Sequence, residues 1–301
     1  MSSTLPSIFS GPPAATGLES LLVGGGRSFV APAPSGFLGF YDLKENPFPD
    51  SVNPDFFFRT ASHQLALEKM RQTVEYKVSL GLVTGPSGTG KTLLSQILLG
   101  EFQRPDLEAI LVLVTPGLGR TGLLREILSE LGVAHPSGTT RAEDLVKLLS
   151  NTLIDLHSEG RRLVVVVDEC HLLTSESLHM LRTISNLEIP TGKLASCLLF
   201  GEERFLKRLQ NPSYASLRSR IFFQAELAPM LLPDLEQYVA FRLLNAGRIQ
   251  PVFTRDALAV LHERSGGICR LVNKFCFLAL IAGAGKAEAL VSASTIREAT
   301  A

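Results

Sequence analysis

Four consecutive valines, preceded by a leucine and followed by two acids, constrain this chain more than any other feature: Leu163-Val-Val-Val-Val-Asp168-Glu169. β-Branched side chains favour extended backbone. A continuous apolar run of this length suits a strand buried on both faces, as in the middle of a parallel sheet. Shorter apolar runs at Leu80–Thr84, Ile110–Thr115, Ser196–Phe200 and Ile221–Leu227 alternate with helical periodicity near 91–103, 121–131, 141–158, 175–188 and 202–210. Strands separated by helices predict an α/β fold, a parallel sheet sandwiched by helices. Beyond Pro229 the strand pattern stops. Helices are expected near 233–246, 254–264, 267–283 and 292–299, broken by Gly247, Pro251, Gly266-Gly267 and Gly283.

Between the first strand and the helix after it lies Gly85-Pro86-Ser87-Gly88-Thr89-Gly90-Lys91-Thr92. A glycine-rich turn opening a helix aims several backbone N–H groups at one point, and the helix N-terminus adds partial positive charge, so a polyphosphate fits there. Lys91 supplies a mobile full charge to the outer phosphates, and the Thr92 hydroxyl suits the coordination shell of Mg2+. The expected ligand is therefore ATP or a related nucleotide with Mg2+. Asp168, at the tip of the valine strand, can hold the metal through water, and Glu169 can orient and polarise an attacking water. A further strand falls between Lys91 and Asp168, so the metal-binding strand is not the next one in sequence. That arrangement resembles the additional-strand, catalytic-glutamate division of P-loop ATPases and disfavours kinase-like transferases.

Twenty-nine basic residues balance twenty-nine acidic ones, so no global field draws the chain to nucleic acid or an anionic membrane. The four cysteines, Cys170, Cys197, Cys269 and Cys276, have neither zinc-site spacing nor the density of a disulfide scaffold. No signal peptide and no 18-residue uncharged apolar run is present, which makes a cytoplasmic protein without a transmembrane segment the expectation. Residues 1–36, rich in Pro, Gly, Ser and Ala, read as a flexible tail.

Together these motifs resemble the AAA+ ATPases of the ExeA/GspA type, associated with general secretion, and their relatives TniB and TnsC in transposition. The resemblance covers about residues 38–299. It is carried further by Phe40-Tyr-Asp-Leu-Lys-Glu-Asn46-Pro47-Phe48, Phe56-Phe-Phe, Ser62-His63-Gln-Leu-Ala-Leu, Phe253, Ala257-Leu258 and Ser265-Gly-Gly-Ile-Cys-Arg270-Leu-Val-Asn273. It implies an α/β nucleotide-binding domain over 37–228 and a helical lid over 229–301, with the nucleotide between them. Pro47 and Phe48 would lie near the adenine, although the residues alone equally describe a turn with a core aromatic. Arg270 would be the second sensor. Arg220, with Arg218 as the alternative, would be the arginine finger, which stabilises charge on the transferring phosphoryl across a subunit boundary. As residues, both arginines also fit an exposed cluster with Arg204, Lys207 and Arg208.

Two departures stand out. Leu198-Leu-Phe-Gly201-Glu202 ends in an acid where the family usually has glutamine as first sensor, and Cys170-His171 replaces the commoner Ala-Gln. A carboxylate beside the γ-phosphate would repel it unless protonated or paired. The family's secretion proteins also carry a transmembrane helix and a cell-wall-binding domain after the ATPase core. Neither follows here, which favours a soluble ATPase acting on partners. The expectation is a homo-oligomeric ring or filament that hydrolyses Mg-ATP at subunit interfaces to assemble or remodel an unidentified protein partner. The alternative is an ATP-dependent, DNA-binding transposition regulator.

Overall fold

The computed structural model describes residues 36–51, 53–134, 141–190 and 192–301. The tail expected over 1–36 thus lies outside the described residues except for Gly36. A helical turn, α1 (Phe37–Phe40), leads through a 3-10 turn at Pro54–Phe56 to α2 (Ala61–Glu75), whose N-terminus is capped by Thr60. There follow β1 (Leu80–Thr84), α3 (Lys91–Glu101), β2 (Leu107–Leu113), α4 (Arg120–Glu130), α5 (Ala142–Ser158) and β3 (Arg162–Asp168). Next come α6 (Ser175–Ile184), a hairpin of β4 (Glu188–Ile189) and β5 (Gly192–Lys193), then β6 (Ala195–Gly201), α7 (Arg204–Leu209), α8 (Ala215–Arg218) and β7 (Ile221–Glu226). Four helices close the chain: α9 (Leu232–Asn245), α10 (Arg255–Ser265), α11 (Cys269–Gly285) and α12 (Ala293–Ala299).

The five long strands form a parallel sheet in the order β2-β3-β6-β1-β7. The valine strand is second from one edge, with β2 and β6 as neighbours. The side chains of Leu163–Val167 alternate between two cores, which explains why every one of these five is apolar. Leu163, Val165 and Val167 pack with α4, α5 and α6, whereas Val164 and Val166 pack with α2 and α3. All seven residues of β3 are buried. At about 1.5–3 kcal/mol for each fully buried aliphatic side chain, this strand is a main source of the sheet's stability. Helix α5 shows the matching logic, with Leu145, Leu149, Leu153 and Leu156 on one stripe facing that core.

The structure departs from the expected element bounds in two places. β2 starts at Leu107, where Leu107 pairs with Arg162, and stops at Leu113, just before Thr115-Pro116-Gly117. Helix α6 ends at Ile184 rather than near 188: the Ser185 hydroxyl turns back to the Arg182 carbonyl, and the β4–β5 hairpin begins within four residues.

The C-terminal helices have a core of their own, and Tyr41, Leu43 and Phe48 from the segment before α2 belong to it. The Tyr41 hydroxyl donates to the Glu288 carbonyl at 3.0 Å, against Gly283 of α11. Residues 41–48 are thereby fastened to the C-terminal helices rather than to the sheet. Among the described residues no helix is long and apolar enough to cross a membrane.

Candidate functional site

Because every long strand runs the same way, the chain segments leaving β1, β3 and β6 emerge at one sheet edge. The Gly85–Thr92 loop follows β1, Asp168 and Glu169 end β3, and Glu202 follows β6. In α/β sheets that edge is where ligands bind.

The loop turns through left-handed backbone at Gly88 (φ 82°) and Gly90 (φ 99°), a conformation that disfavours any residue with a Cβ. Lys91 opens α3 with its side chain folded back, its Nζ donating to the Gly85 carbonyl at 2.9 Å and the Pro86 carbonyl at 2.8 Å. Burial lowers the Lys91 ammonium below its ordinary value, while Glu169, Glu202 and Asp168 raise it and Arg270 lowers it again. Three carboxylates and one arginine thus act electrostatically on a single lysine. Thr92 sits half-buried in the first turn of α3. Asp168 is 2% exposed and accepts the Glu169 N–H through Oδ1 at 2.9 Å. Glu169 itself is left-handed (φ 55°), unusual for a residue with a side chain, and its carboxylate is part-exposed.

The loop is held from two sides. From α2, buried His63 places Nε2 3.0 Å from the Thr89 carbonyl and Nδ1 2.6 Å from Thr60 Oγ1. A carbonyl can only accept, so Nε2 carries the proton and the Thr60 hydroxyl donates to Nδ1. Burial lowers the His63 pKa, opposed by the bond to the Thr89 carbonyl, in keeping with a neutral ring. From the C-terminal helices, the Arg270 N–H donates to the Gly88 carbonyl at 3.1 Å, and its guanidinium reaches Ser87 Oγ at 3.4 Å. A Cβ on Gly88 would fall 2.8 Å from Arg270 Cβ. Behind this contact, Gly267 packs so closely on Met230 that a Cβ would lie 2.0 Å from the Met230 carbonyl oxygen. Arg270, at a helix start where the dipole disfavours a cation, is thus placed against the phosphate-type loop.

Glu202 is paired. Arg204 Nε lies 2.9 Å from Glu202 Oε2, and His171 Nε2 lies 3.8 Å from the same oxygen. The acid at the first-sensor position therefore does not face the loop as an uncompensated charge. Pro86, Ser87, Glu202, Glu203, Arg204 and Lys207 line a shallow cavity of about 280 Å³ between loop and strand end.

The remaining predicted residues lie elsewhere. Pro47 and Phe48 are buried; Phe48 is 2% exposed, packs edge-on against Phe253, and its N–H is taken by Asn46 Oδ1. This is the turn with a core aromatic that the residues alone allowed. Arg220 precedes β7, half-buried, with a buried Nε that has no hydrogen-bond partner. Of the basic cluster, Arg204 pairs with Glu202, Arg208 donates to the Leu173 carbonyl and stacks on Tyr214, and Arg218 bonds the Leu209 carbonyl and Gln210. These cations are occupied within the chain. His63 was missed as a site residue: it carried the family resemblance within Ser62-His63-Gln-Leu-Ala-Leu, but nothing in the sequence pointed it at the loop.

The pieces fit a nucleotide with Mg2+: a loop whose glycines leave a cradle that Cβ atoms would fill, a lysine among carboxylates, and a buried acid beside Thr92's helix. The Thr84 hydroxyl, buried at the foot of the loop, has no partner. The fold is that of the AAA+ type of P-loop protein, and the site is arranged for a nucleotide. Residues 74–209 match the family model described as AAA domain, and the chain carries that domain. It is similar to General secretion pathway protein A of Aeromonas hydrophila, 36% identical over 247 residues, covering 81% of this chain and 44% of that protein. The chain thus spans less than half the length of this curated relative. Among solved structures, its fold resembles the Aeropyrum pernix ORC2 protein in ADPNP–ADP complexes, with TM-score 0.63, 16% identity, 85% of this chain and 71% of that one. It also resembles Cdc6p from Pyrobaculum aerophilum, with TM-score 0.65, 13% identity, 83% of this chain and 68% of that one.

Proposed function

We propose that this chain binds and hydrolyses Mg-ATP at subunit interfaces of a homo-oligomer, and that its ATP state drives assembly or remodelling of a protein partner. One observation supports the reading above others: a parallel sheet delivers the loop lysine, Asp168 and Glu169 to one edge, with Lys91 within electrostatic reach of both acids. Backbone N–H groups of Gly85–Thr92 would cradle the phosphates, with Lys91 exchanging its two loop carbonyls for phosphate oxygens. Thr92 and Asp168 would hold Mg2+, which supplies charge neutralisation at the phosphates when bound. Glu169 would orient the attacking water. Arg270 reaches the loop from the C-terminal helices as the lid's sensor, and the base would lie against the Pro47–Phe48 turn. Arg220, whose Nε has no partner in the single chain, would act across to the neighbouring subunit. A domain division at 228/229 goes with this reading, the helices after it acting as lid.

The likeness to a general secretion pathway protein supports a secretion-linked partner, with the ATPase part working in the cytoplasm, where ATP is. A DNA-binding role would draw on the cluster Arg204, Lys207, Arg208, Arg218 and Arg220 as well as on the shared core, and Arg204, Arg208 and Arg218 of it are internally engaged. The test is turnover against protein concentration for the parent, Glu169→Gln and Arg220→Ala. Glu169→Gln is expected to bind ATP and release phosphate at least about a hundredfold more slowly. Turnover per subunit should rise with concentration in the parent and stay low in Arg220→Ala. A rate that is flat with concentration and unchanged by Arg220→Ala overturns the interface mechanism.

A further inference from the structure

His171 joins the turn after β3 to the end of β6. Its side chain is 3% exposed although the segment is at the surface, and its Nδ1 has two suitors. Glu169 Oε2 lies 3.2 Å away, and the backbone N–H of Glu202 lies 3.3 Å away. The first needs a proton on Nδ1; the second needs its lone pair. A neutral imidazole satisfies one of them at a time. The hydrogen bond present at Nδ1 is the one from the Glu202 N–H, with the carboxylate at ion-pair distance; a proton on Nδ1 would exchange it for a bond to an ionised acceptor, roughly twice as strong as a neutral one. The opposite nitrogen, Nε2, then turns its lone pair toward Glu202 Oε2 at 3.8 Å, a contact softened by Arg204 at 2.9 Å from that oxygen.

We propose that His171 is a positioning residue for Glu169, donating from Nδ1 to its carboxylate and thereby fixing the direction of that carboxylate relative to the end of β6. The claim rests on the reading that Glu169 orients the attacking water. Glu169 needs an external tether: its backbone is left-handed, its carboxylate is part-exposed, and His171 stands at ion-pair distance from it. Gly201 makes the junction possible, since a Cβ there would lie 2.6 Å from Cys170 Sγ and 3.3 Å from the His171 nitrogen. β6 thus ends flush against the Asp168–His171 turn. Charged groups face the ring from every side: Glu169 on its own turn, Glu202 and Arg204 after β6, and Lys91 on α3. Burial and Arg204 favour the neutral ring, against Glu202 and Glu169. The chain of contacts from Glu169 through His171 to Glu202 links the water-orienting acid to the residue at the first-sensor position.

The experiment compares the parent, His171→Met, His171→Gln and Glu169→Gln by steady-state turnover, ATP affinity and melting temperature. Methionine keeps the volume and removes the donor; glutamine restores a donor and an acceptor. His171→Met is expected to lose about tenfold or more in kcat, the scale of a misplaced catalytic group, with ATP affinity and melting temperature close to the parent, and His171→Gln to recover most of it. A kcat within about twofold of the parent in His171→Met overturns the proposal, as does an equal loss in His171→Gln, or a fall confined to ATP affinity or melting temperature. Unchanged turnover in Glu169→Gln would instead remove the underlying reading, a separate outcome. A readout independent of turnover is the 15N shift of the His171 ring in nucleotide-free protein above pH 7, assigned against His171→Gln. The proton is expected on Nδ1 in the parent and on Nε2 in Glu169→Ala. A ring that keeps the Nε2 proton in both overturns the tether.

Discussion

Gly88→Ala tests whether the phosphate-type loop and the first turn of α11 are in direct contact. The left-handed backbone at Gly88 (φ 82°) costs a residue with a Cβ about 1–2 kcal/mol. The added Cβ would also stand 2.8 Å from Arg270 Cβ and 3.0 Å from Ile268 Cγ2. Neither atom is the far end of a flexible chain, so relief requires α11 to withdraw from the loop and stretch the 3.1 Å bond from the Arg270 N–H to the Gly88 carbonyl. Overpacking of this kind costs about 1–3 kcal/mol. The total, about 2–5 kcal/mol, corresponds to a fall in melting temperature of roughly 3–8 °C for a chain of this size. Gly100→Ala is the control: it lies in α3 with nothing within 4 Å of an added Cβ, and helix propensity alone should stabilise it by about 0.5–1 kcal/mol. Scanning calorimetry of the nucleotide-free proteins reads both. If Gly88→Ala melts within about 1 °C of the parent while Gly100→Ala rises, the loop does not touch α11 and the reasoning fails.

Two further substitutions probe groups that hold the site in place. His63 has its pKa lowered by burial, so the unfolded chain, with its ordinary value near 6.5, takes up the proton first as pH falls. Its contribution is present above about 6.5 and is lost as pH drops toward the lower folded value. His63→Gln, which can still donate to the Thr89 carbonyl, should therefore lose less stability than the parent between pH 7.5 and 5.5 in urea denaturation, and equal losses would rule out the neutral ring. Arg242 in α9 is 5% exposed, with Nε and one terminal nitrogen unpartnered, its guanidinium 4.5 Å from the Phe56 ring centroid. Desolvating a guanidinium costs several kcal/mol, against roughly 2 kcal/mol from the aromatic contact. Arg242→Met should be neutral or stabilising by about 1–2 kcal/mol, and a loss above about 2 kcal/mol in urea melts would show that the aromatic contact wins.

The sheet was legible in the sequence because its strands are buried on both faces, so an unbroken apolar run such as Leu163–Val167 carries the signal without any pairing information. β1 matched its expected bounds for the same reason, with a glycine-rich loop marking its end. Edges were less legible. The edge strand β2 begins three residues before the expected Ile110, although the other edge, β7, ends within one residue of its expected bound, and the short β4–β5 hairpin has too few residues to show any period. The loop and the two acids could be read because each residue type there has a local chemical reason. Glu202 is paired by Arg204, two residues on, but that His171 packs beside it could not be read, since His171 arrives from the turn after the neighbouring strand β3. Nor could the packing of Phe48: an aromatic after Asn-Pro does not say which cluster receives it, and 41–48 pack onto the C-terminal helices.

The bond from Arg270 to Gly88 joins main chain to main chain. Replacing the Arg270 side chain by any but proline leaves the donor in place, so the tie between helices and loop is insulated from sequence drift at 270 while residue 88 stays glycine. It also means that the amide proton of Arg270 reports on loop geometry. Any ligand that turns the Gly88 carbonyl would change how fast that single proton exchanges with solvent, giving a native gauge of occupancy that needs no label.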